Sequence, residues 1–583
     1  MQKRYAMMEI SAEIQAKINA WLTPAVDDAT QQAIKDMMVN DPKNLIESFY
    51  TDLDFGTGGL RGIMGPGTNR INRYTIGMAT QGLANYIKSQ FPASQSAVAI
   101  AYDSRNNSEF FARTAADVLS ANDIRVKLFK ELRPTPLLSF AVRELKCQAG
   151  IVITASHNPP EYNGYKVYWE DGAQVLPPHD TGIIKEVRAV NGIEAVNFKA
   201  KEYLIDYIDE KVEEAYFKKL NEIILSKEEI KQASNLKVVY TSIHGTGITM
   251  VPKALKELGF ANVLIVEEQA IPDGNFPTVH SPNPEERDAL NLALQLAEKE
   301  NADMLFGTDP DADRVGIAVR NDENELILLN GNQTGSLLVY YQISQRKNRN
   351  LLKGNEYVAK TIVTTNLIED IAKSFNIPWY DTLTGFKYIA GVMREKEGKE
   401  FFIGGGEESY GYLVGEFVRD KDAVLSSVVI AEMAAYAFAN GTSLYGTLMD
   451  IYAQYGLYHE ELVSITIKGM DGVEKIKSMM AELRAKPPVS LGGSDVVEVR
   501  DIATAKRKNL KTGEETEMDL PTSNVLQFVL ADGSKISARP SGTEPKIKFY
   551  FSIKEGFEGR ANYKAQVERI KKRIDTIRGE LGV

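Results

Sequence analysis

Five short runs in this chain gather side chains that can do chemistry. The densest is Asp309-Pro310-Asp311-Ala312-Asp313-Arg314, set between two apolar runs in ADMLFGTDPDADRVGIAV (302–319). Three carboxylates at alternate positions form a cage of hard oxygen ligands suited to magnesium or calcium. An EF-hand does not fit. Its sixth position, where glycine is needed, is Arg314, and its twelfth, where glutamate is needed, is Arg320. A solvated acidic turn fits poorly as well, because the flanks are too apolar for a surface loop. With Arg314 beside the cage, a cation and a guanidinium would meet, a pairing suited to phosphate.

The segment GIVITASHNPPEYNGYKVYW (150–169) puts an apolar strand directly before Thr154-Ala155-Ser156-His157-Asn158-Pro159-Pro160. A strand ending in a small-residue loop displays its serine at the edge of a sheet, within reach of a ligand. The same residues would also make an ordinary Ser/Asn/Pro turn. Ser156 and His157 are adjacent, so their side chains are expected to diverge and not to form the convergent pair of a hydrolase triad. No G-x-S-x-G elbow occurs. In FFIGGGEESYGYLVG (401–415) three glycines allow close backbone approach ahead of Glu407, Glu408 and Ser409, whose oxygens can accept from ligand hydroxyls. Lys421 stands between Asp420 and Asp422 in VRDKDAV (418–424) and, from its neighbours alone, reads as a surface ion pair. Finally, ISARPSGTEPKIKFYF (536–551) supplies Arg539, Ser541, Gly542 and Thr543 in one loop, with Lys546 and Lys548 on the next strand. That is an anion pocket of donors without a Walker lysine, or else a plain turn between two strands.

The elements that must position these runs repeat a rhythm of strand, loop, amphipathic helix and second strand. It appears around AVAIAYDSR (97–105), LKVVYTSIHGTG (236–247) and EYVAKTIVTT (356–365). β-branched runs alternating with helices read as buried strands of mainly parallel sheets. After about residue 455 the pattern changes to alternating runs such as NVLQFVLADGSKISARP, with Asp532-Gly533 as a hairpin turn, and ends in a helix bearing Val567, Ile570, Ile574 and Ile577. The expectation is three similar α/β domains with mainly parallel mixed sheets (1–212, 213–328, 329–453) plus a C-terminal α+β domain (454–583). No low-complexity linker separates them, so they are expected to pack around one central cleft.

Composition agrees. At roughly 150 residues per domain, 583 residues make about four domains. The 43% hydrophobic and 25% charged residues are those of an ordinary globular chain, which argues against disorder. A net charge of -11, from 79 acidic and 68 basic residues, argues against a nucleic-acid partner. The most lipid-like window, 422–441, carries Ser426, Ser427 and Glu432, so a core helix is expected there and no membrane partner. One cysteine, Cys147, and no leader-like N-terminus lead to the expectation of a cytoplasmic protein.

Taken in order, the four loops at Ser156, Asp309–Asp313, Glu407–Ser409 and Arg539–Thr543 resemble those of the α-D-phosphohexomutase superfamily, and FGTGGLRGIMGPGTNRIN (55–72) is similar to its longer phosphoglucomutase and phosphopentomutase branch. The resemblance covers essentially the whole chain. It implies that Ser156 is the phosphorylated nucleophile and that its phosphate completes the coordination of Mg²⁺ by Asp309, Asp311 and Asp313. Lys421 falls where relatives have their general acid/base, which reverses the surface reading; as a base it would need a pKa lowered by desolvation. Arg61, His157 and Lys166 match residues near the phosphoserine. Arg314, Glu407 and Ser409, with the turn Thr384-Gly385-Phe386-Lys387, match substrate contacts, and Arg539, Ser541, Gly542 and Thr543 match the loop for the non-reacting phosphate.

The implied activity is interconversion of glucose 1-phosphate and glucose 6-phosphate through a bound glucose 1,6-bisphosphate, with a small phosphosugar as the ligand and no protein partner implied. Mannose and pentose phosphates fit the same motifs. A haloacid-dehalogenase-type phosphatase using Asp309 as nucleophile is a remote alternative, because it leaves Ser156 and the 539–543 loop without roles. A non-catalytic sugar-phosphate-binding relative would need a broken nucleophile or metal loop, and both loops are intact.

Overall fold

The computed structural model describes residues 10–583 apart from 57, 93–94, 209, 468–470 and 542–545. Among the described residues, sheets of six, five, four and eight strands succeed one another along the chain. The first runs in the order Gly59–Ile63, Tyr162–Trp169, Ala149–Ile153, Ala97–Tyr102, Arg125–Phe129, Ile205–Ile208. Its last four strands are parallel, while Tyr162–Trp169 is antiparallel to both neighbours. The second sheet runs Leu326–Leu329, Val315–Arg320, Met304–Thr308, Lys237–Thr241, Asn262–Ile265, and the third Trp379–Thr382, Glu356–Thr361, Phe401–Glu407, Gly411–Val414. Each of these two has three parallel strands reaching one edge and an antiparallel hairpin at the other. All pairs of the fourth sheet are antiparallel, from Leu457–Thr466 against Lys546–Glu555 onward.

Strand Ala97–Tyr102 shows why an uninterrupted apolar run makes a central strand. Val98, Ile100 and Tyr102 pack into one core with helix Ser108–Ala121, while Ala99 and Ala101 face the other core with Leu137 and Leu138. Both faces are covered by helices, so no position on the strand can be polar without a partner. The second of these cores is continuous from Ala99 to Ile577 and joins all four sheets. Burial on that scale docks the sheets to one another as one body.

The lipid-like window is the core helix Ala423–Ala439, buried almost throughout and capped by Asp422, whose carboxylate accepts the Leu425 N–H at 2.9 Å. No single helix among the described residues is long and apolar enough to cross a membrane, although this one and Leu444–Tyr455, bent at 85°, pass together on length and composition. The closing helix Tyr563–Leu581 buries Ile570, Ile574 and Ile577, with Val567 partly covered. Three helices not anticipated from sequence, Ala12–Trp21, Asp28–Asn40 and Pro42–Phe49, form a small core of their own around Trp21 and Phe49, closed by Tyr74. Ser11, Asp27 and Asp41 cap them in turn, each accepting a backbone N–H three residues on.

Candidate active site

The four sheets turn loops toward one cavity of about 790 Å³, lined from the first by Arg61, Ser156, His157 and Lys166, from the second by Asp313 and Arg314, from the third by Thr384, Gly385, Glu407, Ser409 and Lys421, and from the fourth by Arg539 and Lys548. The expected central cleft is there.

Ser156 stands three residues beyond the end of strand Ala149–Ile153, with φ +52°, in the left-handed region. Its N–H donates to Thr154 Oγ1 at 2.8 Å, and its carbonyl accepts from Arg105 Nη2 at 2.6 Å. This turn brings Ser156 Oγ to 2.8 Å from Asp309 Oδ2 and 3.2 Å from His157 Nδ1. The expectation that the adjacent side chains diverge is therefore wrong. The positive φ folds the two side chains back toward each other. Burial, with Arg314 next, lowers the His157 pKa to about 2, so the imidazole beside the hydroxyl is neutral.

Asp309, Asp311 and Asp313 are buried, and one carboxylate oxygen from each lies within 4.8 Å of the others. Burial, then the charges of Asp311 and Asp313, pushes the Asp309 carboxyl well above the usual range. Burial works the same way on Asp311, but the Lys166 ammonium, 2.8 Å from Oδ2, outweighs it and holds the pKa down to about 2. Asp311 Oδ1 and Asp313 Oδ1 are enclosed without a hydrogen-bond partner. Three converging carboxylates, two with a buried oxygen that no hydrogen bond satisfies, fit a divalent cation. Arg314 adds three contacts, its N–H donating to Asp309 Oδ1 at 3.0 Å, its guanidinium pairing with Glu285, and its Nε lying 3.8 Å from Asp313 Oδ1.

Lys421 is not at the surface. Its ammonium lies 3.1 Å from Asp313 Oδ2 and 3.3 Å from Asp420 Oδ1, with 12% of the side chain exposed. Burial acts to lower its pKa, but Asp313, Asp420 and Glu407 more than offset this, and the group sits above the ordinary lysine value. Gly411 makes room for it, since a Cβ there would lie 2.0 Å from Lys421 Cδ.

Glu407 and Gly385 are joined directly, Oε1 accepting the Gly385 N–H at 2.9 Å, so the two expected sugar-contacting turns form one surface. The glycines before Glu407 serve the sheet and not the ligand: a Cβ on Gly405 would lie 1.8 Å from the Ala359 carbonyl oxygen of the neighbouring strand. Lys387 does not line the cavity with Thr384 and Gly385; its ammonium lies 5.3 Å from the Tyr388 ring centroid. Arg539 faces the cavity and hydrogen-bonds the Tyr550 hydroxyl. Ser541 donates its N–H to the Lys546 carbonyl at 2.7 Å, while Gly542 and Thr543 lie outside the described residues.

Several contributors escaped sequence reasoning. Arg105, quoted only as the tail of a strand, binds the carbonyls of Ser156, Asn158, Pro159 and Tyr162, backs onto Asp103 and stacks on Phe276. Thr135 holds Asp311 twice, through Oγ1 to Oδ2 at 3.0 Å and through its N–H to the carbonyl at 2.9 Å. Tyr168 donates to Asp420 Oδ2 at 2.6 Å. The one available signal was Asp103-Ser104-Arg105, charged residues placed directly after a buried strand.

Three family signatures match in order: phosphoglucomutase/phosphomannomutase alpha/beta/alpha domain I at residues 52–192, domain II at 214–323 and domain III at 330–455. The phosphoglucomutase of Staphylococcus epidermidis is 38% identical over 533 residues, covering 91% of this chain and 96% of its own length. That of Staphylococcus aureus is 39% identical over 513 residues, covering 87% and 91%. In fold, the chain is similar to the phosphoglucomutase parafusin of Paramecium (TM-score 0.67, 18% identity, covering 92% and 96%). It is likewise similar to a phosphoglucomutase/phosphomannomutase family protein of Burkholderia thailandensis (TM-score 0.64, 18% identity, covering 91% and 98%). With the fold, the loops and these matches in agreement, the chain belongs to the phosphoglucomutase/phosphomannomutase family.

Proposed function

We propose that this chain is a phosphoglucomutase, interconverting glucose 1-phosphate and glucose 6-phosphate through phosphorylated Ser156 and a bound glucose 1,6-bisphosphate. One observation carries the reading: a serine hydroxyl 2.8 Å from a buried carboxylate triad shares a single cavity with a sugar-hydroxyl surface and a separate guanidinium at Arg539. Two anion sites flanking a hydroxyl-binding surface suit a sugar with a phosphate at each end.

In the first half-reaction the bond between phosphorus and Ser156 Oγ breaks and one to a sugar hydroxyl oxygen forms. The hydroxyl proton ends on Oγ. In the second, the reoriented bisphosphate returns its other phosphoryl group to Ser156: the bond from phosphorus to that sugar oxygen breaks, one to Oγ forms, and the Oγ proton ends on the sugar oxygen. Asp309, Asp311 and Asp313 would hold Mg²⁺, which when bound supplies charge neutralisation at the transferring phosphoryl oxygens. Arg314 and Lys166 add fixed positive charge at the same end, in a loose transition state where positioning and electrostatics do most of the work. Lys421 enters as an ammonium, able to donate a proton, and acts as a base only after losing one to the reaction. His157, neutral and with Nδ1 3.2 Å from Oγ, orients the serine hydroxyl by a hydrogen bond. Glu407, Ser409 and the Thr384-Gly385 turn bind hydroxyls in both orientations, while Arg539, with Ser541, Gly542 and Thr543 in its loop, takes the non-reacting phosphate. Arg61 lines the phosphoserine end. The four units 1–212, 213–328, 329–453 and 454–583 are the domains of this reading.

The test is intact-protein mass spectrometry after priming with glucose 1,6-bisphosphate, followed by peptide mapping. One stable phosphate on Ser156 is expected, with Ser156→Ala still binding sugar phosphate but losing nearly all mutase activity. Label on another residue, or wild-type turnover by the alanine variant, refutes the mechanism.

A further inference from the structure

We propose that Lys535, aided by Gln527, is a positioning residue for this site: it clasps the strand bearing Arg539 to the turn that holds the sugar loop, and so fixes the distance between the two ends of the cavity. The inference rests on the mutase reading, because it concerns a ligand that spans both ends.

Lys535 and Arg539 stand on one strand, Lys535–Pro540, four residues apart and therefore on the same face, about 13 Å from each other. Arg539 reaches the cavity. Lys535, 3% exposed, reaches the third sheet instead, where Nζ donates to the Ile362 carbonyl at 2.9 Å and to Asn366 Oδ1 at 2.7 Å, with the Thr364 carbonyl at 3.5 Å. Gln527 Nε2, from the adjacent strand, donates to the same Ile362 carbonyl at 2.8 Å. The turn 362–366 is thus gripped from the fourth sheet at three points.

The far side of that turn holds the sugar loop. Thr361 and Thr364 each donate through Oγ1 to Glu408 Oε2 at 3.1 Å. Glu408 lies between Glu407 and Ser409, the two residues placed at the sugar hydroxyls. A continuous series of contacts therefore runs from Arg539 along its strand to Lys535, across the turn to Thr364, and through Glu408 to the sugar surface.

The chemistry of the clasp argues against a purely stabilising role. Among the described residues Lys535 forms no ion pair; Glu369 and Glu460 act on it only at longer range, and Asp381 pairs at 2.6 Å with a second buried amine, Lys360, whose Nζ also faces Asn366 Oδ1 at 3.5 Å. Burial, then the charge of Lys360, lowers the Lys535 pKa to about 7. A buried amine in such surroundings is poor for stability compared with an apolar side chain of similar volume. What it supplies is several directed donors aimed at one turn of another sheet.

The experiment is calorimetric titration of the full chain with glucose 1-phosphate and, separately, with inorganic phosphate. In Lys535→Met the affinity for glucose 1-phosphate should fall about tenfold, because the ligand must now order the two ends itself, while phosphate, which touches one end, should bind within about twofold of wild type. Lys535→Arg should recover most of the loss. Gln527→Met should move the same ratio in the same direction, and it carries the comparison if the first variant does not fold. Equal losses for both ligands, or unchanged glucose 1-phosphate affinity in a folded variant, overturn the clasp alone. Wild-type protein that binds phosphate but no glucose 1-phosphate overturns the mutase reading and the clasp with it.

Discussion

Replacing Arg105 with lysine should cost far more activity than stability. The guanidinium donates through Nη1 to the carbonyls of Pro159 (2.9 Å) and Tyr162 (3.1 Å), and through Nη2 to those of Ser156 (2.6 Å) and Asn158. Its Nε faces Asp103 Oδ2 at 3.4 Å. Lysine keeps the charge opposite Asp103, so the penalty of stranding a buried carboxylate does not arise. A single nitrogen cannot span carbonyls on both sides of the loop, however, and at least two of the four contacts are lost. Hydrogen bonds from charged donors contribute about 1.5–3 kcal/mol each, so the native loop loses at least about 3 kcal/mol relative to frayed alternatives. At about 1.4 kcal/mol per factor of ten, the fraction with Ser156 correctly held falls about a hundredfold. The assay is kcat/KM for glucose 1-phosphate in wild type and Arg105→Lys, with hydrogen exchange over 154–164 as the local readout. A loss near a hundredfold, with faster exchange in that segment and little change elsewhere, is expected. A variant within fivefold of wild type, or one that unfolds globally at the assay temperature, refutes the reasoning.

Three further outcomes follow from the same structure. Exhaustive chelation should abolish turnover and Mg²⁺ restore it, and Asp311→Asn should raise the Mg²⁺ requirement more than about tenfold while leaving the fold intact, since it removes one of three ligand charges; full activity after chelation counts against the triad as a metal site. Glu432 is buried, accepts the N–H groups of Leu225 and Ser226, and is pushed by burial from 4.5 up to about 7. A carboxyl raised in this way contributes its full stability below about pH 4.5 and loses it as pH rises through 7, so Glu432→Gln should gain on wild type between pH 5 and 8, by at most about 3 kcal/mol in urea unfolding. A difference independent of pH disproves it. Glucose 1-phosphate should outperform mannose 1-phosphate by only about 1–3 kcal/mol in transition-state binding, because Glu407 and Ser409 are placed by resemblance at hydroxyls away from C2; strong ribose 1-phosphate turnover with negligible glucose 1-phosphate turnover shows a phosphopentomutase instead.

The elements legible in the sequence were those written in local pattern. Strand Ala97–Tyr102 announces itself because both its faces are buried, and the hairpin at Asp532-Gly533 because turn chemistry is short-range. Asp309, Asp311 and Asp313 were legible because all three carboxylates come from one loop. What escaped was either a torsion or a partner far away in sequence. The approach of Ser156 to His157 depends on a φ of +52° that neither residue type requires. The ion pair of Lys421 with Asp313 crosses from one sheet to another, as do the bonds from Thr135 to Asp311 and from Lys535 to Ile362. Such contacts exist only once the sheets have docked, so no window of residues contains them. The helices Ala12–Trp21, Asp28–Asn40 and Pro42–Phe49 each open on a serine or aspartate cap and were legible in principle.

Synthesis proceeds from the N-terminus, and domains fold in that order. Ser156, the three aspartates, Glu407 and Lys421 have all emerged by residue 455, whereas Arg539 follows Glu407 by 132 residues. The wall made by Glu460, Glu461, Leu462, Arg539, Lys548 and Tyr550 is therefore the last part of the cavity to arrive. Strand Leu457–Thr466 must also wait with an open edge until Lys546–Glu555 is made to pair with it. A growing chain accordingly carries the serine and the carboxylate triad before it carries the wall that faces them across the cavity. The order of translation makes that wall the final piece, and a chain broken off before Arg539 would keep the loops of the first three sheets while the fourth side of the cavity stayed open.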